Sequence, residues 1–148
     1  MKKITKLLFS LIVGVGLFST TAQAKQTLHW SELSEVQTLD PALSVDTVSS
    51  EMMRNSYEGL YRFDNNGKLK RALVKQATLS DDKLTYTFTL QKNAQWSDGT
   101  PVTAKDFVYS WQRAVAPKTK ASNAQLFSGI KNATEIMAGQ KAPTELGI

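Results

Sequence analysis

The side chains that could carry catalysis or bind a metal are few and widely separated. His29 is the single histidine among 148 residues, and the chain contains no cysteine. Nucleophilic catalysis needs an activated nucleophile beside an oriented base, and a metal site needs several convergent ligands. The neighbouring carboxylates of Asp81 and Asp82 lie in a polar run that is typical of a solvated turn. The sequence therefore predicts no enzyme, including no exported hydrolase, no metal site and no cofactor.

Aromatic side chains crowd into one stretch, residues 94–113, which reads AQWSDGTPVTAKDFVYSWQR. Such a density is typical either of a ligand site or of a small core. Residues 97–101 predict a turn in which Gly99 takes a positive φ, and Thr103 begins a Thr-x-x-Asp capping box that starts a helix. Because an amphipathic helix buries its apolar face, we predict that these aromatics are packed, with Trp96 covering the corner between strand and helix. The apolar face of the helix consists of Phe107, Val108, Trp111 and Val115.

The first two dozen residues are typical of a secretory signal peptide. Three lysines give a positive start, residues 7–18 are apolar, and Ala22-Gln23-Ala24 matches the pattern after which signal peptidase cuts. A transmembrane helix needs roughly 20 apolar residues, and this run is shorter. We predict cleavage after Ala24 and an extracytoplasmic product, in the periplasm or at the cell exterior, without a lipid-anchor cysteine.

The charge of the rest of the chain does not favour a nucleic-acid partner. Of 18 basic residues, three lie in the leader, which leaves 15 against 13 acidic residues, a net charge of +2. A nucleic-acid surface needs a concentrated basic stripe. The one basic cluster, Lys68, Lys70, Arg71 and Lys75, is interpreted as a solvated face.

Two helices and two strands are predicted outside the aromatic stretch. A helix follows Asp40-Pro41, with Asp46 or Thr47 as its cap. Its buried face consists of Met53, Tyr57, Leu60 and Tyr61, and Gly59 is a stop signal near its end. A second helix is predicted from Ala133 to Met137.

The two predicted strands follow from alternation of apolar and polar residues. Residues 26–30 place Leu28 and Trp30 on a buried side, and residues 84–90 place three threonines on the exposed face. The buried face of the second strand consists of Leu84, Tyr86, Phe88 and Leu90. Turns are predicted at residues 64–67 and 81–83.

Four segments carry motifs of one known family: Thr38-Leu39-Asp40-Pro41, Tyr57-Glu58-Gly59-Leu60, the strand from Thr85 to Gln91, and the run from Trp96 to Trp111. They resemble the N-terminal part of the extracytoplasmic oligopeptide-binding proteins of ABC importers, within the peptide and nickel class of solute-binding proteins. Members of that class are several times longer than this chain. The resemblance implies a mixed α/β (α+β) fold, as the N-terminal fragment of a multi-lobed periplasmic binding protein of type II.

The same resemblance implies a division into lobes. Residues 1–24 are the signal peptide, residues 25–57 open the first ligand-binding lobe, and residues 58–148 form most of a second, largely structural lobe. Peptides are enclosed between the first and third lobes and are held mainly through their backbone. On this interpretation the chain is truncated.

The resemblance also suggests ligand-binding residues. A ligand-contacting segment that includes a glutamate falls on Val45, Asp46 and Thr47, with Val45 at the glutamate position and Asp46 as a substitute beside it. A tyrosine that some relatives point toward the peptide corresponds to Asn123. The implied partners are oligopeptides and the membrane permease of an ABC importer.

Three functional interpretations remain open from the sequence. The chain is either the peptide-binding receptor of an importer, or a truncated remnant that binds no peptide by itself because a closed cleft needs groups from both walls. A receptor for another solute of the same class, a dipeptide or nickel, is a further alternative.

Overall fold

The computed structural model describes Thr27 and residues 29–148. The predicted signal peptide, its cleavage site at Ala24 and the side chain of Leu28 lie outside the described residues. The chain divides into two units, with the boundary between Ser31 and Glu32. The helices and strands given below all belong to the second unit.

The predicted strand at residues 26–30 is wrong for its described residues. Thr27, His29 and Trp30 adopt no regular secondary structure, and the Trp30 side chain is 56% exposed rather than buried. Alternation alone does not make a strand, because a strand also needs a neighbour that pairs with its backbone. No ladder among the described residues includes these three.

Helix α1, Thr47–Ser56, starts as predicted and ends earlier than predicted. Asp46 caps it, since one carboxylate oxygen accepts a hydrogen bond from the Ser49 N–H at 2.8 Å. At Tyr57 the backbone turns to an extended conformation, and the Tyr57 side chain is 48% exposed. The predicted core position of Tyr57 is therefore wrong. Its hydroxyl donates to the Leu39 carbonyl at 3.0 Å instead.

Two antiparallel hairpins follow α1. The first pairs β1, Tyr61–Phe63, with β2, Leu69–Arg71. Its turn at residues 64–67 is confirmed: Asp64 accepts backbone hydrogen bonds within the turn, and Gly67 has φ +71°. The basic cluster in and beside β2 is exposed, as predicted.

The second hairpin pairs β3, Val74–Leu79, with β4, Tyr86–Leu90. The turn predicted at residues 81–83 is confirmed. The predicted burial of the β4 face is wrong at one end, because Leu84 is 83% exposed and Tyr86 is 63% exposed. A two-stranded sheet has little to cover that face. Phe88 makes ring contacts with Tyr61 and Tyr86 at centroid distances of 6.3 and 6.1 Å.

Helix α2, Ala104–Val115, begins at the predicted capping box. Asp106 accepts hydrogen bonds from the N–H and the hydroxyl of Thr103 at 2.6 and 2.9 Å. The preceding turn is also confirmed, with Gly99 at φ +86°. A bridge between Gln95 and Pro101 closes that turn.

The main hydrophobic core lies where α2 packs against the C-terminal segments. Helix α3, Ala133–Met137, has the bounds predicted from the sequence. Single 3₁₀ turns at Pro117–Thr119, Ala124–Phe127 and Pro143–Glu145 complete this region. The buried cluster consists of Val115, Ala133, Ile136 and Leu146. No helix in the described part of the chain is long and apolar enough to cross a bilayer.

Candidate functional site

The segment from Val45 to Thr47 presents its backbone at the start of α1. The Val45 side chain is 70% exposed, and within residues 29–148 neither its N–H nor its C=O makes a hydrogen bond. Its neighbours are fixed: the Ser44 N–H donates to the Asp40 carbonyl at 3.1 Å, and Asp46 caps the helix. Val45 therefore offers one backbone donor and one acceptor from an anchored segment.

These residues line a surface depression of about 480 Å³. Its remaining lining comes from the exposed side of α1: Ser50, Glu51, Arg54 and Asn55. The lining combines the carboxylates of Asp46 and Glu51 with the guanidinium of Arg54, so it can pair with charged groups of either sign.

The Asp46 carboxylate caps α1, so it is already engaged within the chain. The hydrogen bond from the Ser49 backbone lowers the pKa of Asp46, so this side chain is ionised at neutral pH. Its second oxygen, Oδ2, is buried and has no hydrogen-bond partner among the described residues. Glu51 and Arg54, one and two turns further along α1, are the charged groups of the depression that have no capping role.

Asn123 lies apart from this depression. It precedes the 3₁₀ turn at residues 124–127, its side chain is exposed, and its carbonyl accepts a hydrogen bond from the Leu126 N–H at 3.0 Å. It is not among the residues that line the depression. The structure thus brings together Val45, Asp46 and Thr47 but does not add Asn123 to them.

An ion pair that the sequence did not suggest holds the segment before α1. The guanidinium of Arg113, in the last turn of α2, donates to both carboxylate oxygens of Asp40, with an Nη1 to Oδ1 distance of 2.8 Å. These hydrogen bonds lower the pKa of Asp40 and raise the pKa of Arg113. Asp40 was visible as part of a family motif. Its partner, 73 residues away, carried no signal in periodicity or spacing.

The aromatic stretch at residues 94–113 takes no part in the depression. Trp111 packs against Phe127 at a centroid distance of 5.9 Å beside the buried cluster, so its predicted core position is confirmed. Trp96 lies at the corner before α2, but its side chain is 49% exposed. Tyr109 is 70% exposed, and the prediction that the aromatics are packed is wrong there.

Among Thr27 and residues 29–148, no three histidine, aspartate or glutamate side chains converge as a metal site would require. His29 is exposed.

The comparisons with known proteins all relate the chain to bacterial solute-binding proteins. The profile for the middle part of family 5 of the bacterial extracellular solute-binding proteins matches residues 68–145. The chain is 40% identical over 144 residues to the dipeptide-binding protein of Lactococcus lactis, covering 97% of this chain and 26% of that protein. It is 42% identical over 130 residues to the periplasmic oligopeptide-binding protein OppA of Escherichia coli, covering 86% and 24%.

Solved structures agree with the sequence comparisons. OppA of Listeria monocytogenes bound to peptide superimposes with a TM-score of 0.76 at 43% identity, covering 79% of this chain and 23% of that chain. OppA of Haemophilus influenzae in complex with the peptide RPPGFSPFR gives 0.72 at 38% identity, covering 77% and 23%. The chain thus spans about a quarter of the length of these relatives.

The fold predicted from the sequence is confirmed by these similarities. The mixed helices and strands match the N-terminal part of a type II periplasmic binding protein fold. The predicted absence of enzymatic activity also agrees with a family whose members bind solutes. The chain belongs to family 5 of the bacterial extracellular solute-binding proteins.

Proposed function

We propose that the chain is the N-terminal part of an extracytoplasmic receptor that delivers oligopeptides to the permease of an ABC importer. The observation that carries this proposal is the 43% identity, over 79% of the chain, to a relative whose structure contains a bound peptide. Residues 25–57 then open the ligand-binding lobe, and residues 58–148 form most of a structural lobe. The curated relatives in Escherichia coli are periplasmic.

In this proposal Val45 recognises the backbone of the peptide. An extended peptide exposes N–H and C=O groups that need partners once water is excluded. The unpaired backbone groups of Val45 can supply them, and its exposed side chain imposes no fixed pocket on the ligand. Recognition of this kind is largely independent of peptide sequence. Asp46 and Thr47 flank the contact, and Asn123 is a separate and weaker candidate.

The experiment uses a chimera in which this chain replaces the matching quarter of the Listeria monocytogenes relative. Val45→Pro removes the backbone donor, whereas Val45→Ala removes only side-chain atoms. Losing one buried hydrogen bond costs about 1 to 3 kcal/mol. We therefore expect calorimetry to show peptide affinity roughly tenfold or more lower for Val45→Pro, and within about threefold of the parent for Val45→Ala.

Two results would contradict the proposal. One is full peptide affinity in a Val45→Pro chimera whose unfolding midpoint matches that of the parent. The other is a folded parent chimera that binds Ni²⁺ or a dipeptide but does not bind a longer peptide. That result would favour the alternative solutes of the same class.

Export is a further part of the proposal. The pattern Ala22-Gln23-Ala24 supports cleavage after Ala24, since signal peptidase prefers small side chains at those positions. Mass spectrometry of the protein secreted by a bacterial host tests this directly. The expected N-terminus is Lys25, and an exported product that retains Met1 would refute the cleavage site.

A further inference from the structure

The loop that leads into α1 is held to that helix through side-chain hydroxyls. The buried hydroxyl of Ser49 accepts hydrogen bonds from the N–H groups of Gln37 and Thr38 at 3.1 and 3.3 Å. The Tyr57 hydroxyl donates to the Leu39 carbonyl at 3.0 Å. Ser49 lies in α1 and Tyr57 directly follows it, so these bonds fix the first half of the loop to the helix.

The second half of the loop takes its shape from Asp40. The Asp40 carbonyl accepts hydrogen bonds from the N–H groups of Leu43 and Ser44 at 3.0 and 3.1 Å. Its carboxylate oxygen Oδ1 accepts another from the Ala42 N–H at 3.0 Å. Ser44 is buried and directly precedes Val45. The position of the Val45 backbone therefore depends on the position of Asp40.

Asp40 is itself held from a distant part of the chain. The guanidinium of Arg113 donates to both of its carboxylate oxygens, with an Nη1 to Oδ1 distance of 2.8 Å. Arg113 lies in the last turn of α2, two residues before Val115 of the hydrophobic core. A bidentate contact fixes direction as well as distance, and a packed helix positions a side chain more precisely than a loop does. The core beside α2 thus sets where Asp40 lies.

We propose that Arg113 is a positioning residue for peptide recognition, because through Asp40 it holds the Val45 backbone in the geometry that binds the peptide. The inference rests on the proposed function, in which Val45 contacts the peptide. It adds that residues 58–148, assigned above to a structural lobe, contribute to peptide affinity. Without the ion pair the loop populates the binding geometry for a smaller fraction of the time, and the apparent affinity falls by that fraction.

A double-mutant cycle in the chimera with the Listeria monocytogenes relative tests this role by calorimetry with a short peptide. We expect Arg113→Gln and Asp40→Asn each to weaken peptide affinity by about three- to thirtyfold, the range typical of residues that act on a ligand from a distance. Because both variants disrupt one interaction, the double variant should lie within about threefold of the weaker single variant. Arg62→Gln removes an arginine from an exposed pair with Glu58 and should change affinity less than about twofold.

Two readouts separate positioning from a general loss of folded protein. Unfolded molecules lower the apparent stoichiometry of the titration, whereas a displaced contact raises the Kd at unchanged stoichiometry. Amide exchange reports the loop directly: Arg113→Gln should speed exchange of the Ser44 N–H at least about threefold. The Trp96 N–H, which donates to the Thr100 carbonyl at 2.8 Å, should keep its rate.

Two outcomes would overturn the inference. One is peptide affinity within about twofold of the parent in both folded single variants, below the effect expected of a positioning residue. The other is a double variant whose loss of affinity equals the product of the two single losses, since Asp40 and Arg113 would then act independently. A folded parent chimera that binds no peptide would refute the proposed function itself, and the inference with it.

Discussion

At the scale of single residues, the ion pair between Asp40 and Arg113 holds the segment that contains Val45, the candidate peptide contact. Asp40 also accepts the backbone hydrogen bond from Ser44, directly before Val45. The carboxylate and guanidinium form a bidentate contact, which fixes direction as well as distance. The segment that presents Val45 is therefore tied to the last turn of α2.

The stability provided by this ion pair should depend on pH. Arg113 holds the pKa of Asp40 below its ordinary value of 3.8. A depressed carboxyl pKa contributes stability that is present above the unfolded-state value and is lost as the pH falls through the folded-state pKa. We expect Arg113→Gln to be less stable than the parent near about pH 7, with the difference shrinking once the pH falls below that unfolded-state value.

Urea unfolding at a series of pH values measures this effect. Arg62→Gln is the matched control, because Arg62 forms an exposed ion pair at 3.4 Å with Glu58, four residues earlier in the chain. Exposed pairs of this kind contribute little. A loss of stability in Arg113→Gln that is the same at low and neutral pH would show that Asp40 is not the relevant partner.

At the scale of elements, local chemistry predicted the corner before α2 well. The turn around Gly99 and the Thr103 capping box follow from short patterns in which a residue acts on neighbours within four positions. Burial was harder to predict, because it depends on which element lies opposite. Leu84 and Tyr86 alternate as a buried strand does, but no second layer among the described residues covers that end of their hairpin.

The end of α1 is a second feature that the local sequence pattern did not predict. Met53 and Tyr57 keep helical spacing, yet the chain leaves the helix at Tyr57 and forms β1 four residues later. The pairing of β1 with β2 and the hydrogen bond from Tyr57 to Leu39 outweigh the local helical pattern. Both are interactions between separated residues, which a periodicity cannot reveal.

Helix α2 provides a test of which aromatic residues stabilise the fold. Trp111 packs on Phe127 beside the core, whereas Tyr109 on the same helix is 70% exposed. Truncating buried aromatics costs about 3 to 5 kcal/mol, and the partial burial of Trp111 places Trp111→Ala near the lower end. Tyr109→Ala should cost less than about 0.5 kcal/mol. Denaturant unfolding compares them, and equal losses in the two variants would contradict the assigned packing.

At the scale of the whole molecule, the chain contains one wall of the proposed peptide site. It spans about a quarter of its relatives, and its depression of about 480 Å³ lies on the surface of a single unit. Ligand sites usually bury most of the ligand between converging groups. The backbone groups of Val45 can form hydrogen bonds with only a small part of a peptide. Membership of the family therefore does not imply that this chain binds a peptide by itself.

Calorimetric titration of the 148-residue chain with a short peptide, beside the chimera completed from the Listeria monocytogenes relative, tests this account most directly. The chain alone should show no saturable binding up to about 1 mM, where binding is worth only about 4 kcal/mol. The completed chimera should bind peptides of unrelated sequence with similar affinity. Stoichiometric, micromolar binding by the chain alone, or a folded chimera that binds no peptide, would contradict it.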